Sequence, residues 1–406
     1  NNGYFVQGMG KIYHGSLDDP QSWSVPWGTP KAETYALPEN VTLNERRYGV
    51  DPDGDNAAAT KGKGKGKGAK TAKAAGVTVP DSMPAAKNIR GPAFEGAEVP
   101  DNTFQDGKVA ELAVSTLRDI SQKKEPFFLA VGFIKPHLPF IAPKKYWDLY
   151  DPAKIQLAPN KFRPKDAPDY AIQPGGELRN YHGIPEGSIP DDLARQLKHG
   201  YYAAISYMDA QLGRVLDELD RLDLRKNTIV ILWGDHGWKL GEHDAWCKHS
   251  NAENDTHGAL LLSVPGMSHA GAKATGLVEF VDIYPTLADL AGLPRPAHLE
   301  GLSFKPVLDN PARPWKPAAF SQYPRPGNSA TGGQPLMGYS MRTERYRFTA
   351  WLHRDDPSKV AALELYDHQT DPQENQNLAK HTEHAALVAQ LTTQLRAGWK
   401  AAAPAR

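Results

Sequence analysis

The chain has 406 residues, enough for one large domain and a smaller one. Lys+Arg and Asp+Glu both number 47, so the formal net charge is zero and points to neither a nucleic acid nor a membrane surface as partner. The single cysteine, Cys247, excludes an internal disulfide framework, and no apolar run approaches a membrane span.

The sequence opens on NNGYFVQGMGKIYHG, with no initiating Met and no charged leader. YFVQGMG has strand character and breaks at glycine, which puts Lys11 and His14 just past a strand end. Residues 16–105 carry little periodic apolar pattern and much Pro and Gly. Within them Lys61–Gly76 reads KGKGKGKGAKTAKAAG. Alternating Gly and Lys can bury no face, so residues 56–80 are expected to form a solvated, mobile insertion; a basic arm for anionic polymers is the sharper alternative.

A regular α/β pattern follows. Residues 108–124 read as an amphipathic helix and PFFLAVGFI, 126–134, as a buried strand. After a Pro- and Gly-rich crossing to about Pro190 comes the best helical pattern in the chain. There Ile205, Met208, Leu212, Val215, Leu216 and Leu219 keep a 3.6-residue period. NTIVILW, 227–233, is β-branched and apolar, a central strand. ALLLSVPG adds a strand and FVDIYPTLADLAGLP a helix. Strand, helix and strand in alternation predict an α/β fold with a mostly parallel central sheet flanked by helices. Past residue 315 the pattern changes. LMGYSMRTERYRFTAWL alternates like a hairpin turning near Thr343–Glu344, and a last helix spans about 384–399. The expected division is a main α/β domain, 1–314, and a smaller C-terminal α+β domain, 315–406.

The chemistry concentrates at predicted strand ends. WGDHGWKLGEH, 233–243, stands at the carboxyl end of the central strand, the edge where α/β sheets bind ligands. Asp235 and His236 offer a carboxylate oxygen and an imidazole nitrogen, a pair that suits a divalent cation; a capping Asp and a structural His are the plainer alternative. Gly237 beside them permits close approach of backbone or ligand. FIKPHLPF places Lys135 and His137 past the strand 126–134, with prolines holding the backbone extended. A histidine so held can bind an anion or donate a proton, although a lone histidine is more often structural. DAWCKHSN puts Lys248 a short loop beyond Asp235. Several cations and a metal pair suggest a pocket for a tetrahedral oxyanion.

GYFVQGMGKIYH, PFFLAVGFIKPHLPF, YYAAISYMDAQLGRVLDEL, WGDHGWKLGEHDAWCKHSN, VDIYPTLADLAGLP, SQYPRP, MGYSMRTERYRFTAWL and ELYDHQTDPQENQNLA resemble, in that order, the sulfatases, and among them the iduronate-2-sulfatase-like group. The resemblance implies an alkaline-phosphatase-like fold, a sulfated saccharide substrate, one calcium ion and a formylglycine nucleophile made from cysteine. It implies that Lys11 contacts the nucleophile and His14 acts as the base that discharges it. His137 would contact sulfate and the leaving oxygen with Lys248 beside it, one of the two protonating the departing alcohol. Asp235 and His236 would be calcium ligands, and Trp238 would shape the substrate pocket. An exported, periplasmic or lysosome-like location goes with it.

The family's C/S-x-P-x-R nucleophile motif does not occur in these residues, nor does an Asp–Asp pair after an apolar strand. DPDGDN, 51–56, resembles a calcium loop only faintly. The expectation is therefore a truncated chain whose first βα segment, with nucleophile and two metal ligands, lies upstream or on a separate chain. The alternatives are a non-catalytic relative that binds sulfated glycans, and a phosphatase or phosphodiesterase of the same superfamily.

Overall fold

The structure, a computed structural model, describes residues 2–14, 17–45, 90–173 and 175–404. The expected Gly–Lys insertion at 56–80 and the 51–56 loop lie outside them. The first part holds β1 (Phe5–Gly10), β2 (Val25–Gly28), α1 (Pro38–Glu45), β3 (Arg90–Pro92), β4 (Phe94–Ala97), α2 (Gln105–Ser121) and β5 (Phe127–Gly132). Next come β6 (Phe140–Pro143), α3 (Lys144–Trp147), β7 (Tyr181–His182) and α4 (Asp191–Arg221). Then follow β8 (Val230–Trp233), β9 (Lys239–Leu240), β10 (Trp246–Cys247), α5 (Glu253–Thr256), β11 (Leu260–Ser263), α6 (Ile283–Leu290) and α7 (Lys305–Asp309). The chain ends in β12 (Ala318–Arg325), β13 (Leu336–Thr343), β14 (Tyr346–His353), β15 (Val360–Asp367) and α8 (Ala385–Ala401).

The architecture is α/β. Parallel pairing joins β2-β1-β5, β3 to β7 and β4 to β6. Helix α2 covers β1 by packing Val109 and Ala113 on Met9, all three fully buried. The helix starts three residues before the expected position because the Gly107 N–H, an orphan donor of its first turn, is taken by the hydroxyl of Tyr207 at 2.7 Å. That partner lies on α4, so no local capping signal announces it.

Helix α4 forms as expected, and of its stripe of large apolar residues Leu219 is buried and Val215 packs on the Met9 cluster, but the N-terminal half buries a different set. Ala194, Leu197, Gly200, Ala203, Ala204 and Tyr207 are buried, whereas Ile205 is 36% exposed. The small residues let other elements approach closely. A Cβ on Gly200 would stand 2.8 Å from the Trp147 ring and 3.0 Å from Phe140. Small side chains add little to an apolar pattern, so a reading by size misses the part of the face that they line.

β8, expected as a central strand of the parallel sheet, pairs among the described strands only with β11, and that pairing is antiparallel. Its Trp233 is 45% exposed. The hairpin of β13 and β14 turns at Glu344–Arg345, and β12-β13-β14-β15 form an antiparallel sheet. Helix α8 packs Leu391 against that sheet, on Ala318, Met341, Phe348 and Leu365.

Candidate active site

β1 and β5 run in parallel and in register to their last residues, Gly10 opposite Gly132. A Cβ on Gly132 would lie 2.1 Å from the Lys11 carbonyl oxygen, so glycine is required there. Lys11 and the loop after Gly132 therefore leave the sheet side by side at its carboxyl edge. Lys11 Nζ stands 3.4 Å from His14 Nδ1, so these two expected site residues are brought together.

The loop carrying His137 is pinned from below. Asp106 accepts from the backbone N–H of Ile134 at 2.8 Å and of Lys135 at 2.9 Å. The Lys135 ammonium donates to the carbonyls of Pro139 at 2.6 Å and His137 at 3.3 Å. Burial pushes the Asp106 carboxyl up to about 6 and the Lys135 ammonium down to about 8, against the opposing pull of each on the other. Both fasten the loop by its backbone.

His137 and Lys248 meet, with Lys248 Nζ 3.1 Å from His137 Nε2. A third residue, Glu177, binds both: its carboxylate lies 2.8 Å from His137 Nε2 and 3.1 Å from Lys248 Nζ. The Glu177 side chain is 8% exposed. Burial alone would raise its pKa, but hydrogen bonding and charge from His137, with the charge of Lys248, outweigh this and hold it at about 2. Lys248 sits between Cys247 (φ 71°) and His249 (φ 87°), two non-glycine residues in left-handed backbone. Beneath that turn, Lys239 on β9 pairs with Asp255 at 2.5 Å, and Ser250 joins both partners. Lys239 and Asp255 are 2% and 3% exposed.

Asp235 and His236 follow β8 at its carboxyl end. Gly237 next to them is required by backbone, because a Cβ there would stand 2.0 Å from the Asn254 carbonyl oxygen. His236 Nδ1 lies 2.7 Å from the Gly237 carbonyl and so carries the hydrogen, which leaves Nε2 with its lone pair. That nitrogen is 3.6 Å from an oxygen of Asp235, whose side chain is 79% exposed. An accessible carboxylate and an imidazole lone pair at that separation fit two positions of a divalent-cation sphere.

Trp238 links the groups. Its ring stacks on His236 at 5.8 Å and meets His137 edge-on at 5.8 Å. Lys248 Nζ stands 5.0 Å over it. Its indole N–H is buried and finds no acceptor among the described residues.

Glu177, Asp106 and Lys135 were not singled out for these roles by sequence. Asp106 lies just before the helical pattern read at 108–124, and Glu177 stands in a Pro- and Gly-rich crossing without periodicity. A second cluster also brings ligand atoms together: Glu253, His368 and Glu374 each place one within 4.8 Å of the others. Arg347 binds both carboxylates there, at 2.8 Å for Glu374, so the position of a cation is taken by a guanidinium. This is an ion-pair network.

The family model described as Sulfatase matches residues 54–293. A second, described as N-sulphoglucosamine sulphohydrolase, C-terminal, matches residues 241–400. The chain is 31% identical to iduronate 2-sulfatase of Mus musculus, over 95% of this chain and 76% of that protein. The same enzyme of Homo sapiens gives 31%, with the same coverage. The solved phosphonate monoester hydrolase of Agrobacterium radiobacter superposes with a TM-score of 0.63 at 20% identity, over 97% of this chain and 77% of that one. At that identity the likeness speaks to the fold.

Proposed function

This chain belongs to the sulfatase family, and from that premise we propose that it hydrolyses a sulfate monoester on a sugar of a glycosaminoglycan or related polysaccharide, in the manner of an iduronate-2-sulfatase. The observation that carries this reading is the contact of His137 with Lys248 at the carboxyl edge of the sheet. A lysine and a histidine side by side there answer the two charges of the reaction: one on the sulfate oxygens and one developing on the departing alcohol.

In this reading Lys248 neutralises sulfate oxygens. His137 gives its Nε2 proton to the leaving oxygen as the S–O bond breaks, so the sugar departs as an alcohol. Trp238 walls the sugar side of the pocket. Asp235 and His236 would hold calcium, which supplies charge stabilisation to the sulfate oxygens when bound. Lys11 would hold the nucleophile and His14 would take a proton from it; no residue of these 406 is assigned as that nucleophile. We take residues 1–314 as the main domain and 315–406 as a C-terminal subdomain. Action in an exported or lysosome-like compartment is part of the proposal. No helix of the described residues is long and apolar enough to cross a membrane.

The test is expression of the complete reading frame with the formylglycine-generating enzyme, then assay on 2-O-sulfated uronate disaccharides, an aryl sulfate and the matching aryl phosphate. Turnover of the sulfates, abolished by His137→Ala, supports the reading. Turnover of the phosphate alone, or glycan binding without turnover, would overturn it.

A further inference from the structure

We propose that His249 and Tyr323 determine specificity at the candidate active site, together binding the ring carboxylate of the uronate whose 2-O-sulfate is cleaved. This rests on the sulfate-ester reading above and adds to it the groups that read the sugar.

His249 directly follows Lys248 in the turn that leaves β10. That turn is held at both ends. Cys247 is 1% exposed in the core, and Ser250 is buried on Lys239 and Asp255. Between them His249 keeps a left-handed backbone, φ 87°, without being glycine. Backbone of that kind, held in place by its surroundings, clusters at binding and catalytic turns. The His249 ring is half-buried and faces Tyr323 of β12, 5.6 Å between centroids with the planes inclined by 32°.

The elements on either side build this pairing. Tyr323 and Ser321 share a face of β12, and Asn251 stands two residues beyond His249. The Ser321 hydroxyl donates to the Asn251 side-chain oxygen at 3.4 Å, and Asn251 donates to the Gly338 carbonyl of β13 at 3.1 Å. Gly338 is opposite Tyr323 in the ladder, and a Cβ there would stand 2.6 Å from the Asn251 amide nitrogen. Glycine at 338 admits Asn251, and Asn251 sets the turn against the strand so that His249 meets Tyr323. The Arg325 guanidinium stands 5.1 Å from the Tyr323 ring centroid. It is 2% exposed and donates to the carbonyls of Tyr170 at 2.5 Å, Ala171 at 2.8 Å and Pro324 at 3.0 Å.

The pair has hydrogens to give. Neither ring forms a hydrogen bond or ion pair with another described residue. Burial, with the charge of Lys248, pushes the His249 imidazole down, and burial pushes the Tyr323 phenol up. Near neutral pH the pair therefore offers one N–H and one O–H, a donor for each oxygen of a carboxylate. The acids in electrostatic reach of both rings are Glu177 and Asp255, and each is already matched by a lysine, Lys248 and Lys239. Arg325 has only backbone carbonyls as described hydrogen-bond acceptors, so no carboxylate in contact cancels its charge. His249 also feels the charge of His236, so the pair borders both the anion seat and the proposed cation ligands. On a uronate ring C2 and C5 stand across from each other. An ester held at Lys248 leaves the C5 carboxylate one ring's width away, beside His249 and Tyr323.

The test is calorimetric binding by the protein from its complete reading frame, expressed without the formylglycine-generating enzyme so that the ester is not consumed. The probes are a 2-O-sulfated uronate disaccharide and its carboxyl-reduced counterpart, which keeps the sulfate and loses the carboxylate. Wild type should bind the uronate about 100-fold more tightly, as expected for two hydrogen bonds to a charged group. Tyr323→Phe removes only the hydroxyl, and His249→Gly suits the left-handed backbone. Each should cut that preference by about 10-fold, the loss of one such bond, with melting curves verifying that both variants are folded. An unchanged preference in either folded variant, equal loss of affinity for the two probes, or no preference in wild type would overturn the proposal. Absence of binding to both probes would overturn it too. Turnover of an aryl sulfate by the matured wild type is read separately: if it is absent the sulfate-ester reading fails, while the binding preference still decides what His249 and Tyr323 do.

Discussion

His137 and Lys248 lie 111 residues apart in sequence and 3.1 Å apart in space. His137 was reachable as a candidate in sequence because it stands just past a readable strand, whereas Lys248 follows a two-residue strand that carries no pattern and was singled out by the family resemblance. Glu177 was not legible. It meets Lys248 across 71 residues from a segment with no periodicity, and a carboxylate there reads as solvated surface. Lys248→Ala removes one charged donor from the anion seat, so kcat/KM on a sulfate ester should fall by about 100- to 1,000-fold, the usual cost of losing one such donor. Little change in steady-state kinetics would remove Lys248 from the site. Glu177 also predicts a pH signature. Its folded pKa, about 2, lies below the ordinary 4.5, so its stabilisation is present above pH 4.5 and disappears as pH falls toward 2. Chemical denaturation at several pH values should show wild type and Glu177→Gln converging across that window. A gap that stays constant would contradict the carboxylate's assigned partners.

At the scale of elements, periodicity located most helices and strands, and failed where packing rather than pattern decides. The α4 face is set by Gly200, Ala203 and Ala204, and its N-terminal neighbour α2 is capped by Tyr207 from across the interface. The β9–β10 hairpin, two residues on each side, is too short to read from sequence. Beneath it, Lys239 and Asp255 pair in the interior under the Lys248 turn. Lys239→Met leaves Asp255 as a buried unpaired carboxylate, so unfolding free energy should drop by about 3–5 kcal/mol in a denaturant titration. Activity should drop with it, because the turn that aims Lys248 loses its support. A loss under about 1 kcal/mol would show that the pair is not enclosed as described.

In the whole molecule, the C-terminal sheet backs the site. Leu336 and Trp351 pack with Ala245 and Ala252 on either side of the Lys248 turn, and Asn251 donates to the Gly338 carbonyl at 3.1 Å. Arg347 ties β14 to α5 through Glu253 and to the later turn through Glu374. Burial opposes ionisation of both carboxylates, and Arg347 helps hold them charged. Arg347→Met should therefore destabilise the protein by about 3–5 kcal/mol. It should lower the melting temperature of the site region and the C-terminal sheet together; separate transitions would show that the two parts fold independently. The α/β class and the antiparallel C-terminal sheet were both readable from the alternation of elements. The antiparallel pairing of β8 was not, since a short β-branched run reads alike in either direction. The central claim is that His137, Lys248 and Glu177 form the working group of a sulfate-ester hydrolase. Its most direct measurement is release of sulfate from a 2-O-sulfated uronate disaccharide by the protein from its complete reading frame, alongside His137→Ala. The account predicts turnover that this substitution abolishes while the fold persists, and undiminished sulfate release by the variant would contradict it.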